Sequence, residues 1–288
     1  MNLKNTYFKK GDFLQTETIK LARIVINYWG KKSFDELLKS VFLNKKAYTS
    51  KSYFYHFDHT ELINGCYYGE INKTKLRKSH KELTSKESFE YKDTELDELY
   101  EYVRFAIFSD HSIAITSKSK FNSDEFIKIF KELFILNCEE FAQIQLNYRI
   151  SDDDVFLMIN GFWKLIEVII KKLQKSNPSP RPTFEKIEKF MKEEKTDEYS
   201  ATFSSDKNSE TGLTRDYKSH IMSGISLTDA GYGDECVIKG ITKDNEMVIF
   251  NTKDKIIQSR IIKAGNNVEF INLVLNKFSD FIKHEKGE

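Results

Sequence analysis

Proline is nearly missing from this chain: there are three in 288 residues, and all three fall inside the stretch NPSPRP at 177–182. Glycine is also scarce, at 12, which excludes collagen-like and low-complexity linker sequences. The three cysteines, Cys66, Cys138 and Cys236, are odd in number, far apart and never in a CxxC pair, so a disulfide framework is excluded. Long apolar runs are lacking as well. VFLMI (155–159) and VII (168–170) are too short to span a bilayer, and MNLKNTYFKKGDFLQ has no sustained apolar region of the signal-peptide kind. The expectation is a soluble, cytoplasmic protein with no direct membrane insertion. Net charge is missing too: 45 lysines and arginines stand against 44 aspartates and glutamates, so no global basic field advertises nucleic acid. No GxSxG, HExxH, GxGxxG or GxxxxGK[ST] occurs, and no cofactor, metal or catalytic residue is expected.

What is present is aromatic and periodic. The chain has 23 phenylalanines and 14 tyrosines, and at 33.8 kDa it is long enough to bury a core and to form two domains. TIKLARIVINYW (18–29) alternates as a strand, with Leu21, Arg23, Val25 and Asn27 on one face and Ala22, Ile24 and Ile26 on the other. Ser33 and Glu36 form a capping box ahead of a helix. SYFYHFD with ELINGCYYGEI, and YVRFAIF with SIAITS, are expected as antiparallel hairpins. Asn122 or Ser123 caps a helix whose Phe126, Ile129, Phe130 and Leu133 recur at helical spacing. After residue 138 the logic restarts: strand 141–150, a short helix opened by Ser151 and its acids, strand 164–173, the proline segment, a helix from Thr183, and strand EYSATFSS. A helix ending at Gly231, a hairpin around Asp244–Asn245, strand 255–262 and an amphipathic terminal helix follow. The expected fold is α+β in two domains, 1–138 hairpin-rich and 139–288 βαβαββ-like with a long terminal helix.

Charge is patterned locally. Residues 73–86 carry six lysines and arginines against Glu82, and residues 87–101 carry seven acids against Lys92. Lys73, Lys75, Arg77, Lys78 and Lys81 are the best phosphate-contact candidates, with flanking Tyr67 and Tyr68 available to stack on a base. The competing reading is a solvated loop neutralised by the acidic run. Lys171, Lys172, Lys175 and Arg181 form a second cluster around the proline segment. HFDH, with His56, Asp58 and His59, reads as turn and surface, since a two-histidine metal site there needs a bulge or a turn. GYGDE (231–235) reads as a helix cap because its glycines follow a helix instead of opening one. The prolines at 178, 180 and 182 miss the PxxP spacing, leaving NPSPRP as a stiff connector.

The order of KLIEVIIKKL, Asn-Pro-Ser-Pro, a helix, a strand, a helix ending in GYG and a hairpin resembles a bacterial family associated with prophages and mobile elements. SYFYHFDHTELINGCYYGEI and FAIFSDHSIAITS add to that likeness, which extends more distantly to RexA-like phage-exclusion proteins. The resemblance implies anti-phage defence, DNA binding without sequence specificity, and work alongside a second defence-system protein. It supplies no catalytic residues. The leading reading is a cytoplasmic, homodimeric defence protein that contacts nucleic acid, DNA above all, through its basic patches. The alternatives are a metal-dependent nuclease without a recognisable motif, and a regulatory interaction module that docks through its terminal helix.

Overall fold

A computed structural model describes residues 15–28, 30–44, 46–75, 81–85, 88–91, 99–140, 142–174 and 184–283. NPSPRP lies outside the described residues. In chain order the elements begin with β1 (Thr16–Tyr28), α1 (Phe34–Asn44), β2 (Tyr48–Ser50), β3 (Tyr53–Ile63) and β4 (Cys66–Lys75). Then come β5 (Lys81–Ser85), β6 (Ser88–Tyr91), β7 (Leu99–Ile107), β8 (Ser112–Ser117), α2 (Ser123–Asn137) and β9 (Ala142–Tyr148). The remainder is α3 (Asp152–Gly161), β10 (Lys164–Gln174), α4 (Phe184–Glu193), β11 (Glu198–Ser204), α5 (His220–Asp229), β12 (Glu235–Ile241) and β13 (Met247–Asn251). A 3-10 turn, Thr252–Lys255, leads to β14 (Gln258–Ile262) and α6 (Asn267–Lys283). The fold is α+β, as its sequence pattern predicts, and no described helix is long and apolar enough to cross a membrane.

The large sheet runs β14-β1-β8-β7-β4-β3-β2 and is antiparallel throughout. The alternation of β1 sorts its two faces as expected. Ala22, Ile24 and Ile26 join Leu37, Leu38 and Val41 of α1 and Phe126, Phe130 and Leu133 of α2 in one core. Ile19 and Leu21 point the other way, under Phe270, Ile271, Val274 and Phe278 of α6. Each of the larger side chains among these contributes about 1.5–3 kcal/mol by leaving water. Both helix starts follow local chemistry. Ser33 and Glu36 exchange N–H···O bonds at 2.7 and 3.3 Å, and Asn122 accepts the Glu125 N–H at 2.9 Å.

The small sheet, β11-β10-β12-β13, is also antiparallel. Val168, Ile170, Cys236, Ile238 and Phe250 face α3, α4 and α5, which bring Val155, Ile159, Ile187, Met191 and Ile225. The opposite face, carrying Glu167, Ile169, Val237 and Lys239, is half-exposed. The expected strict alternation of β10 fails at two places. At the first its register with β12 shifts between Leu165 and Glu167, and Leu165 joins Val168 and Ile170 in the core. At the second a bulge between Ile170 and Leu173 sets Lys172 at φ 54 with its N–H on Ser200 Oγ, so Lys171 and Lys172 are both exposed.

The expected boundary between the halves is corrected here. The division at 138/139 does not follow the sheets, because β9 and β14 lie end to end along one edge of β1 and α6 covers the large sheet's far face. Only the segment from α3 to β13 builds the smaller unit. Most of the apolar stripe of α6 is used in that packing: Phe270, Val274 and Phe278 are at most 2 % exposed, while Val268 at its start is 48 % exposed.

The joint between the sheets is built by the GYG turn. Tyr232 N–H binds Leu227 O at 2.9 Å and Gly231 N–H binds Thr228 O at 3.0 Å, closing α5 in a Schellman cap with Gly231 at φ 86. A Cβ on Gly231 would lie 2.8 Å from Arg23 Cβ, so glycine is required twice over. Arg23 of β1 donates to Ala230 O (2.7 Å) and to the Tyr232 hydroxyl (3.0 Å), and Asn147 of β9 donates to Gly231 O (3.1 Å).

Candidate nucleic-acid interface

Strand register, read strand by strand, gathers lysines at one end of the large sheet. β4 ends at Lys75, and Tyr53↔Lys75 places the β2–β3 turn, with Lys51 at φ 54, beside it. Thr74↔Leu99 brings the start of β7 to the same end, and Thr18↔Ser117 brings the end of β8 with the turn Lys118–Asn122. Contacts tie these pieces together. Lys73 Nζ donates to Lys120 O at 2.8 Å, Lys118 Nζ lies 3.2 Å from Glu101 Oε1, and Lys118 Nζ sits 3.7 Å from the Tyr102 ring centre. Lys51, Lys73, Lys75, Lys118 and Lys120 thus share this end with Glu101, Asp124 and Glu125. Lys51, Lys118 and Lys120 are absent from the basic run, and no sequence spacing connects them to it.

Lys73, expected to contact phosphate, is corrected. Its side chain is buried, and its ammonium binds both Glu125 oxygens at 2.9 and 3.0 Å while lying 4.5 Å over the Tyr53 ring. Glu125 also accepts the Tyr55 hydroxyl at 2.7 Å, and burial together with that carboxylate pushes the Tyr55 pKa well up. Lys73 is therefore a brace that fixes the β8–α2 turn against β4, while Lys75 is exposed two residues on. Arg77 and Lys78 lie outside the described residues, and of Lys81 only the backbone is described. That backbone pairs in a ribbon, Lys81↔Tyr91 and Glu82↔Glu90, which runs the tail of the basic run alongside the start of the acidic one.

The stacking tyrosines are corrected as well. Tyr67 is buried among α1 and the sheet. Tyr68 is buried beneath Phe270, with its hydroxyl on Glu70 at 2.6 Å. Tyr53 and Tyr102 are the half-exposed rings at this end.

The second cluster has a different balance. Lys171 lies 2.8 Å from Glu235, whose pKa is lowered chiefly by that ammonium, and Lys253 lies 3.4 Å from Asp234. Lys172 is exposed, and Lys175 and Arg181 fall outside the described residues. A cavity of about 430 Å³ is lined by Asp124 and Tyr148 together with Asp234 and Lys253. Tyr148 donates to Asp124 at 2.5 Å.

At HFDH the bulge does exist, between Asp58 and Glu61 with His59 at φ 45. It turns His59 out to solvent, while Asp58 accepts from Asn72 Nδ2 at 2.8 Å and burial lowers the His56 pKa. Among the described residues no three His, Cys, Asp or Glu side chains form a metal-ligand group. On the small sheet, Lys239 pairs with Glu167 across strands, just as Lys171 pairs with Glu235.

The fold is that of a two-sheet α+β protein with several lysines brought to one end of its large sheet. Residues 18–277 match the model of a domain of unknown function, DUF4747, and the chain belongs to that family. The match takes in both sheets. No curated protein matches the chain.

Proposed function

We propose that the chain binds nucleic acid, DNA in the first place, through backbone phosphates at the Lys75 end of the large sheet. This binding would serve bacterial phage exclusion, as a homodimer acting with a second defence component. The carrying observation is the convergence of Lys51, Lys118 and Lys120, from two separate turns, on the exposed Lys75. Phosphate contact needs clustered, protruding cations held in place, and the buried Lys73–Glu125 pair supplies the holding. Tyr102 and Tyr53 each have an ammonium on a ring face, at 3.7 and 4.5 Å, so the site offers charge ahead of stacking. That favours duplex over single strand. The test is anisotropy of labelled duplex and single-stranded DNA, without divalent metal, over a range of salt. Duplex binding that weakens steeply with salt supports the reading. No binding at low salt, or binding indifferent to salt, overturns it. The defence role is tested separately, by the plating efficiency of phages on a host expressing the chain.

A further inference from the structure

The edge strand β13 carries a pattern that nucleic-acid binding does not use. Its residues, Met247-Val-Ile-Phe-Asn251, include neither a charge nor a proline, the usual guards of a sheet edge. Among the described residues it pairs only with β12. Thr242 N–H binds Glu246 O at 3.0 Å, so 242 and 246 form a hydrogen-bonded pair. Such pairs alternate along an antiparallel ladder. With Gly240↔Val248 and Ile238↔Phe250 in register, the backbone groups of Val248 and Phe250 turn to β12. Those of Met247, Ile249 and Asn251 face outward, evenly spaced about Ile249.

That spacing is self-complementary. A second copy laid antiparallel lets Ile249 exchange its N–H and C=O with its own counterpart, while Met247 does so with Asn251 on either side. The side chains agree: Ile249 is 62 % exposed and Met247 43 %. Met247 is in register with Ile241, whose carbonyl accepts from Trp163 N–H at 2.7 Å, and the Trp163 side chain is 54 % exposed. Across that dyad the residues next to the strand set Glu246 opposite Thr252 and Asn245 opposite Lys253, so no like charges meet directly beside the paired segment.

We propose that two copies pair through β13 about Ile249, joining their small sheets into one continuous antiparallel sheet. This gives the homodimer of the preceding section a surface but does not depend on nucleic-acid binding. An edge contact alone buries less than the roughly 1,200–2,000 Å² of standard interfaces, so the dimer is concentration-dependent.

The test is sedimentation velocity of the full chain, without nucleic acid, over a concentration series. The wild type should pass from monomer to dimer. Ile249→Lys and Ile249→Glu should each weaken the dimer at least about tenfold, since like charges are brought together across the dyad. Mixing the two variants should restore it. Ile249 is exposed and its backbone groups are not used by β12, so both variants should retain the wild-type circular dichroism. Leu157→Lys, at a 72 % exposed position on α3, should dimerise as the wild type does. A wild type that stays monomeric, an Ile249→Lys protein that dimerises normally, or a mixture that stays monomeric would each overturn the proposal.

Discussion

The Lys75 end of the large sheet and the Lys171 end of the small sheet are both basic in sequence, yet they differ in space. At the first, Lys51, Lys75 and Lys120 are exposed, while Lys73 is buried on Glu125 and Lys118 lies 3.2 Å from Glu101. At the second, Lys171 and Lys253 are matched by Glu235 and Asp234, and Glu198 is in register beside the exposed Lys172 segment. The difference comes from which turns the strand register delivers. The β2–β3 and β8–α2 turns add lysines to the first end, whereas the α5–β12 turn adds Asp234 and Glu235 to the second. A run of lysines in sequence is therefore a weaker guide to a phosphate surface than the charges its neighbouring turns contribute.

The comparison breaks most sharply under charge removal. Replacing Lys75, Lys118 and Lys120 with alanine should weaken duplex binding on the order of 100-fold and flatten the log–log salt slope by about 3. Replacing Lys171 and Lys172 should change affinity less than about twofold, as expected where acids already balance the cations. If both sets have equal effects, the two ends do not differ functionally.

The joint between the two regions should respond to acid. His111, at the β7–β8 turn, stacks on Phe34 at 3.9 Å, and burial followed by the nearby Arg23 cation lowers its pKa to about 4. The unfolded chain, with an ordinary histidine near 6.5, then binds more protons between pH 6.5 and 4, so stability falls as pH drops through that window. By pH 5 the loss is about 2 kcal/mol relative to pH 7. His111→Asn, which tolerates the positive φ of 68, should flatten the urea-derived stability profile over this range. An unchanged slope would place the acid sensitivity elsewhere.

Smaller effects separate bracing from contact. Lys73→Met leaves Glu125 with only the Tyr55 hydroxyl as a side-chain partner and should cost about 1–2 kcal/mol of stability, since that carboxylate is partly solvated. It should leave the salt slope nearly intact, whereas a true phosphate contact would lower the slope by about 1. Last, Asp234→Asn with Glu235→Gln unmasks Lys171 and Lys253 and should raise duplex affinity a few-fold. No gain would mean that the DNA does not reach the small sheet's end.

Much of the fold was legible because its signals are local. Period-two alternation located β1, the Ser33–Glu36 box and Asn122 opened their helices, and Gly231 marked the end of α5. The site was half legible. Lys75 could be read from the charged run, but the burial of Lys73 depends on β4 presenting it to Glu125, which lies 52 residues away. Tyr67 and Tyr68 looked available because they flank the run. Their burial is decided by α1 on one face and α6 on the other, and neither is near in sequence. The partition at 138/139 failed for the same reason: nothing local in β9, β14 or α6 says that each returns to the first sheet. Lys118 and Lys120 sit in an ordinary helix-leading turn and acquire meaning only through the β8–β7–β4 register.

The central claim is tested most directly by lysine acetylation footprinting with and without duplex DNA, read residue by residue by mass spectrometry. Lys51, Lys75, Lys118 and Lys120 should be protected by the duplex at low salt and released as salt rises, while Lys171 and Lys253 keep their reactivity. Protection centred on Lys171 and Lys253, or none at the Lys75 end under conditions where duplex is bound, would contradict the account.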